Sequence, residues 1–383
     1  MLSPLRGIRV VEFCTVASGP YCGMLLADLG ADVLKVENPD GGDSMRAWPP
    51  VTDGYSENFA SLNRNKRSVA LNLKDPADNA VARRLIDAAD VVVENSRPGV
   101  MAKLGLDYAT VSAEHPELVY CSISAFGQTG PRAREGGFDL TIQAMSGIMS
   151  VTGEPDGEPV KCGVPLADFT TGLYAAFAAV AALREVAQGG RGTHVDVSMF
   201  GASLAVAALQ TSEYFGRGVD PVRLGSAHPR NAPYQAFRCS DGHIAMAAGN
   251  DGLWRAACQA LGRAELADDP RFASTALRAQ HQAPLREILE AEFARYSTAE
   301  LLELFAAAGV PCSPINSYSA ALADPQVAHM GWVQEVTLPN GVTTRTFGSP
   351  LTLDGQTPPL RRRPPELGEH NAEVLAELAG GDR

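Results

Sequence analysis

The chain has 383 residues, 45% of them hydrophobic and 20% charged, with a net charge of -12. That composition fits a soluble globular protein with a sizeable core, in one large domain or two ordinary ones. The acidic balance argues against nucleic acid or an anionic membrane as partner, so an anionic ligand must be held by local basic groups.

The first half alternates short β-rich runs with helical stretches. "LRGIRVVEF" reads as a first strand almost at once, so an N-terminal signal is not expected. "PYCGMLLADLG" predicts a helix ending at Gly30, and "ADVLKVE" a second strand. "SVALNL", a helix around "PADNAVARRLIDAA", "DVVVEN" and "LVYCSIS" follow, then a helix from about Asp139. "GVPLADFTTGLYAAFAAVAAL", from Gly163, predicts a helix apolar almost all round and therefore buried. "THVDVSMF" is the next strand. Strands separated by helices indicate parallel βαβ units in a doubly wound sheet, and runs such as "DVVV" fit burial on both faces.

The pattern changes after Arg217. "GRGVDPVRLGSAHPRNAPYQAF" has no period and reads as a connection between domains. A smaller α+β unit follows, with "HIAMAAG" as a strand and helical stretches to about Ala308. "WVQEVTLPNGVTTRTFG" predicts a hairpin turning at Asn340-Gly341. The Pro- and Arg-rich end predicts a surface wrap. The expected division is a large domain over 1–217, a linker and small domain over 218–330, and a return to the large domain over 331–383.

The chemistry narrows by exclusion. The first βαβ unit has a loop, "CTVASGP", that suits a phosphate at a helix N-terminus, and a strand ending in Glu37. The G-x-G-x-x-G fingerprint is absent, which argues against NAD. There is no Walker-A loop and no G-x-S-x-G elbow, and the seven histidines show no metal-ligand spacing. Seven cysteines, none in a C-x-x-C pair, suit a reducing cytosol. The apolar helices are too broken by Gly, Ser and Thr to read as membrane spans. Lys66, Arg67 and Lys74 in one loop region, and Asn95, Arg97 and Lys103 in another, suit a phosphate-bearing ligand at the carboxyl ends of strands, although on these residues alone a solvated charged surface is the readier reading. Asp168 is the one charged group before the tail of the apolar helix. It suits an N-cap, by side chain and by charge. It also suits a nucleophile.

The ordered set "LRGIRVVEF…ASGP", "LADLGADVLKVE", "NRNKRSVALNLKDP", "VVVENSRPGVMAKLGL", "SISAFGQTGP", "GFDL…SG" and "GVPLADFTTGLYAA" resembles the class III CoA-transferases. The "GSAHPRNAPYQAF" and "AAGND" segments look most like the succinyl-CoA:dicarboxylate (glutarate) branch. The resemblance implies an interlocked homodimer of subunits with a Rossmann-like CoA-binding domain and a smaller domain. It implies that Asp168 is the covalent nucleophile, with coenzyme A and acyl-CoA as substrates and no permanently bound cofactor or metal. CoA contacts carry over to Val16, Ala17, Ser18, Leu71, Lys74, Asn95, Ser96, Lys103 and Leu104. Family members can have Gln where this chain has Ala17, and Arg where it has Asn38. The glycine-rich loop that closes over the nucleophile in formyl-CoA transferase corresponds to "AAGNDG", with Gly249 as a possible oxyanion donor.

Related α-methylacyl-CoA racemases pair the Asp with a His in a "GHD" segment, because moving an α-proton needs an acid and a base on opposite faces. Here the segment is "GGFDL", and Phe138 cannot carry a proton. Asp139 is then an accessory carboxylate or a helix cap. A CoA-binding protein without catalysis is the other alternative. A dicarboxylate needs a cation for its distal carboxylate, and Arg46, Arg230 and His228 are the candidates. The expectation is CoA transfer from succinyl-CoA to a small dicarboxylic acid in the cytoplasm.

Overall fold

A computed structural model describes residues 3–380. They divide into two compact units. The first holds residues 3–148, 161–218 and 325–380, the second 149–160 and 219–324. Two boundaries differ from the sequence expectation: 149–160 belongs to the smaller unit, and the chain returns to the larger one at Pro325.

The first unit is built on six strands: β1 Arg9–Phe13, β2 Asp32–Glu37, β3 Lys66–Ala70, β4 Val91–Glu94, β5 Val119–Ser124 and β6 His194–Ser198. Their order is β3-β2-β1-β4-β5-β6, and every pairing is parallel. Successive side chains alternate between two apolar layers. Val11, Leu34, Val36 and Val92 meet Leu85 and Ile86 on one face. Val10, Val33, Val91 and Val93 meet Cys22, Leu26 and Ala175 on the other. Burial on both faces is why these strands read as unbroken valine runs.

The helices that matter for the site are α1 Ser18–Asp28, α2 Pro76–Asp87, α3 Val100–Lys103, α4 Asp139–Met145, α5 Leu166–Ala187, α6 Met199–Val206 and α7 Ala208–Arg217. α2 shows the local logic well. Asp75 caps it by accepting the Ala77 N–H at 2.8 Å, Pro76 fills the first turn, and Leu85 and Ile86 are its buried side. α5 crosses the start of α1 at Gly172. A Cβ there would lie 2.6 Å from the Ser18 carbonyl oxygen, so only glycine permits this approach.

α5 departs from the expectation of a helix buried all round. Ala175, Ala176 and Ala179 are buried, but Leu173 is 51% and Phe177 73% exposed. By length and composition it could cross a membrane, which the breaks read from the sequence did not suggest. Its alanine side nonetheless packs into the core of the first unit.

In that unit the strand order reverses between β1 and β4. Open α/β sheets bind ligands at such a switch point, outside the carboxyl ends of the strands. The loops leaving β1 and β4 meet there. The Asn95 side chain accepts the Thr15 N–H at 3.0 Å and donates to the Thr15 carbonyl at 2.8 Å. Val333–Thr337 and Thr343–Phe347 form the antiparallel hairpin, turning through Gly341 at φ 85°.

In the second unit, Tyr234–Arg238, His243–Ala247 and Cys312–Pro314 make a three-stranded antiparallel sheet. Its core includes Phe237, Ile244, Trp254, Phe293 and Phe305. Residues 218–233 contain neither helix nor strand, as their lack of period predicts.

Candidate active site

Asp168 is the third residue of α5, and the cap position belongs to Pro165, which offers no side-chain cap. The N-cap reading of Asp168 is therefore corrected: it lies inside the first turn, where the helix dipole still favours its charge. Capping is done by Asp139. Its Oδ1 accepts the Ala167 N–H at 2.9 Å, and its Oδ2 accepts from Gln143 Nε2 at 2.8 Å. Gln143 is fully buried, and its Oε1 accepts the Cys162 N–H at 2.9 Å. Asp139 thus does not cap its own helix; it ties α4 to the head of α5.

Burial pushes the Asp168 carboxyl up to about 6, with the Asp139 charge adding to the rise and a hydrogen bond from the Ser18 side chain opposing it. The group is still mostly ionised at neutral pH. It opens into a cavity of about 190 Å³, lined also by Val16, Ala17, Ser18, Asn95, Arg97 and Phe138. No His, Lys or Tyr lines this cavity. Its other carboxylate, Glu135, is paired with Arg132 at 2.7 Å.

A larger groove of about 480 Å³ adjoins it, with Thr15 and Ser96 lining both. Leu71, Lys74, Ser96, Lys103 and Leu104 line the groove. Apolar walls from Phe13, Val100 and Met101 beside two lysines suit a flat base joined to phosphates. All nine residues expected to contact CoA line one cavity or the other. For Asn95, the side-chain amide is already committed to Thr15.

Val16 is a β-branched residue at φ 66°, a conformation that few such residues adopt. Its N–H donates to Asp43 Oδ1 at 3.0 Å and Oδ2 at 3.2 Å. Asp43 is fully buried and ion-paired with Lys35 at 3.0 Å. Lys35 also pairs with Glu12 at 3.0 Å, which Lys66 meets from its other side at 2.8 Å. Beside this network, Glu94 Oε2 accepts the Ser96 N–H at 2.8 Å. Burial raises the Glu94 carboxyl to about 7, against opposing hydrogen bonds from Ser122 and Ser96.

Several expected ligand groups are occupied elsewhere. Arg46 grips Glu37 through Nε at 2.8 Å and Nη2 at 2.7 Å, and donates to the Pro365 carbonyl at 3.1 Å. Its guanidinium also stacks on Phe59. It is absent from the Asp168 cavity, and an arginine so fully engaged is no clamp for a substrate carboxylate. Lys66 and Arg67 are also removed from the phosphate candidates. Lys66 serves Glu12, and Arg67 pairs with Asp32, Glu373 and Glu377.

His228, Arg230 and Gly249 belong to the second unit. The His228 Nδ1 accepts the N–H groups of Arg230 at 3.1 Å and Asn231 at 3.0 Å, so that ring nitrogen shapes its own loop. A Cβ at Gly249 would lie 2.8 Å from the Asn231 Cβ, and the Gly249 carbonyl accepts from Thr275 at 2.9 Å and from buried Arg278 at 3.2 Å.

Sequence reading missed Asp43, Glu94 and the Glu12–Lys35 pair. The pair had a signal: two opposite charges inside adjacent buried strands, which the structure places in register.

Residues 5–371 match the model of CoA-transferase family III. The chain is 44% identical to the succinate–glutarate CoA-transferase of Agrobacterium fabrum, covering 98% of this chain and 96% of that one. It is 37% identical to the succinyl-CoA:glutarate CoA-transferase of Mus musculus, over 98% and 87%. A CAIB/BAIF family crystal structure from Brucella suis superposes with a TM-score of 0.87 at 41% identity, covering 99% of this chain and all of that one. With the switch-point groove and the carboxylate beside it, these likenesses fix the family: the chain is a member of CoA-transferase family III, an enzyme that transfers CoA.

Proposed function

We propose that this enzyme moves CoA from succinyl-CoA to a small dicarboxylic acid, with Asp168 as the covalent nucleophile. The observation that carries this reading is a half-buried carboxylate opening into a cavity that adjoins a groove suited to CoA. The names of the relatives from Agrobacterium fabrum and Mus musculus support succinate and glutarate as the acids.

Asp168 attacks the donor thioester carbonyl, giving a mixed anhydride and CoA thiolate. The thiolate attacks the aspartyl carbonyl, releasing the donor acid and leaving an aspartyl-CoA thioester. The acceptor carboxylate attacks that thioester, forming a second anhydride and freeing the thiolate again. The thiolate then takes the acceptor acyl group and restores Asp168. Covalent catalysis divides one hard exchange into easier steps. Each tetrahedral intermediate needs aimed donors. The N–H groups of Ala17 and Ser18 suit that role: both residues line the cavity, and no backbone acceptor engages either N–H among the described residues.

A racemase would need a second proton-transfer group facing the substrate. Phe138 stands where the racemases carry their His, and the lining of the Asp168 cavity favours transfer. A homodimer is part of the proposal. Leu173 and Phe177 on α5, and Leu209 and Phe215 on α7, are 51–81% exposed, large apolar groups that a partner subunit would cover. Seven free cysteines support a cytosolic site of action.

The test is a panel of mono- and dicarboxylic acids assayed against succinyl-CoA. Exchange restricted to dicarboxylates supports the reading; preference for monocarboxylates rejects it.

A further inference from the structure

We infer that Asp43 is a positioning residue for the reaction: it holds Val16 in the left-handed conformation that aims the Ala17–Ser18 backbone at the reacting carbonyl. This deepens the functional reading above and rests on it.

Left alone, a valine avoids positive φ more strongly than most residues, because its branched Cβ crowds the backbone. Such a residue persists only where its surroundings over-determine it, and these sites cluster where function needs them. Here the surroundings are identifiable. Both oxygens of Asp43 lie within hydrogen-bond reach of the Val16 N–H. Asp43 is itself held from three sides. Its Oδ1 accepts the Met45 N–H at 3.0 Å, its Oδ2 meets buried Lys35, and its own N–H donates to Glu37 at 3.0 Å. On the other flank Asn95 clamps Thr15 at both backbone groups. The chain therefore enters α1 from a fixed angle.

The consequence lies one residue further on. After Val16 come Ala17 and Ser18, which line the cavity with Asp168. Pro20, at the third helical position, has no N–H to offer, so the donors available at this helix end are concentrated in residues 17–19. If Val16 relaxed to an extended conformation, those N–H groups would rotate away. Asp43 itself does not line either cavity. It acts through the backbone of Val16 and touches no reacting atom.

The experiment is a cycle between two substitutions, read as kcat for succinyl-CoA-dependent exchange. Asp43→Asn removes the charge and one acceptor while keeping the volume. It should lower kcat about 100-fold with KM for succinyl-CoA changed less than about threefold. Glycine accepts positive φ without strain. In the Val16→Gly background, therefore, the same Asp43→Asn change should cost less than tenfold. An equal loss in both backgrounds would overturn the proposal, because damage to the buried charge network alone does not depend on what residue 16 is. Val16→Pro, which locks φ near -65° and deletes the N–H, provides an arm that leaves Asp43 untouched. It should lower kcat at least 100-fold with the melting transition retained; activity within tenfold of the unsubstituted enzyme would overturn the proposal. Asp168→Ala is the separate control. If it retains exchange, the nucleophile reading fails, whatever the two backgrounds show.

Discussion

Asp139 caps the helix that carries Asp168: its Oδ1 accepts the Ala167 N–H at 2.9 Å, one residue ahead of the carboxylate assigned to the chemistry. Two acidic groups are thereby coupled in position and in charge, since Asp139 also helps to raise the Asp168 carboxyl. Asp139→Ala strips the cap, at about 1 kcal/mol of stability. It lets the first turn of α5 shift, and a misplacement of this kind costs about 10–100-fold in kcat. Steady-state kinetics with a melting curve check both. Asp139→Asn keeps an acceptor and should lose less.

The pH profile carries a second prediction. The nucleophile acts ionised and its carboxyl lies near 6, so kcat/KM for the acyl-CoA donor should fall below pH 6, approaching tenfold per unit. The fall should move to lower pH in Asp139→Asn, where the neighbouring charge is gone.

The same raised carboxyl has a cost in stability. Its folded value lies above its unfolded one, so the folded state holds the proton more tightly. Stability is lost as pH rises from about 4 through 6. Asp168→Asn removes that cost, on the order of 1–3 kcal/mol after allowance for solvent around a half-buried group. Thermal melts should show the variant more stable than the unsubstituted enzyme at pH 8, with the gap closing near pH 4.

Arg46 separates a structural role from a binding one. Its bidentate grip on Glu37, whose side chain is almost wholly buried, predicts that Arg46→Ala destabilises by about 2–4 kcal/mol, because it leaves that buried charge without its arginine, with only the Asp43 N–H and the Ser68 hydroxyl still donating to it. Among acceptor acids the relative kcat/KM should not change. A loss confined to dicarboxylates would instead return Arg46 to the substrate.

Gly172 tests the contact between α5 and α1. Adding a methyl group 2.6 Å from the Ser18 carbonyl oxygen forces the helices apart, which typically costs about 1–3 kcal/mol. Gly172→Ala should lower both the melting temperature and kcat, since Ser18 lines the cavity with Asp168.

Much of this frame is readable without coordinates. Strand runs such as "DVVV" announce burial on two faces, Asp75-Pro76 announces a helix start, and Asn340-Gly341 announces a hairpin. Of the groove residues, Lys74 and Lys103 are legible from their places after strands, whereas Leu71 and Leu104 follow only from the family resemblance. What sequence hides is the spending of charge across the fold. Arg46, Lys66 and Arg67 look like ligand groups until their partners come into place from distant segments, as Glu373 and Glu377 do for Arg67. Asp139 looks like the cap of its own helix because nothing local shows that Ala167, 28 residues on, lies within reach. The strain at Val16 is invisible for the same reason: it exists only because Asp43 approaches from another loop.

The most direct test is the covalent intermediate. The enzyme is incubated with succinyl-CoA without acceptor, quenched in acid, and analysed by intact mass and peptide mapping. With Asp168 as nucleophile, the protein gains the mass of CoA less water, located on the peptide containing Asp168 and absent in Asp168→Ala, which should also lose exchange. An adduct on another residue, or undiminished exchange in Asp168→Ala, would contradict it.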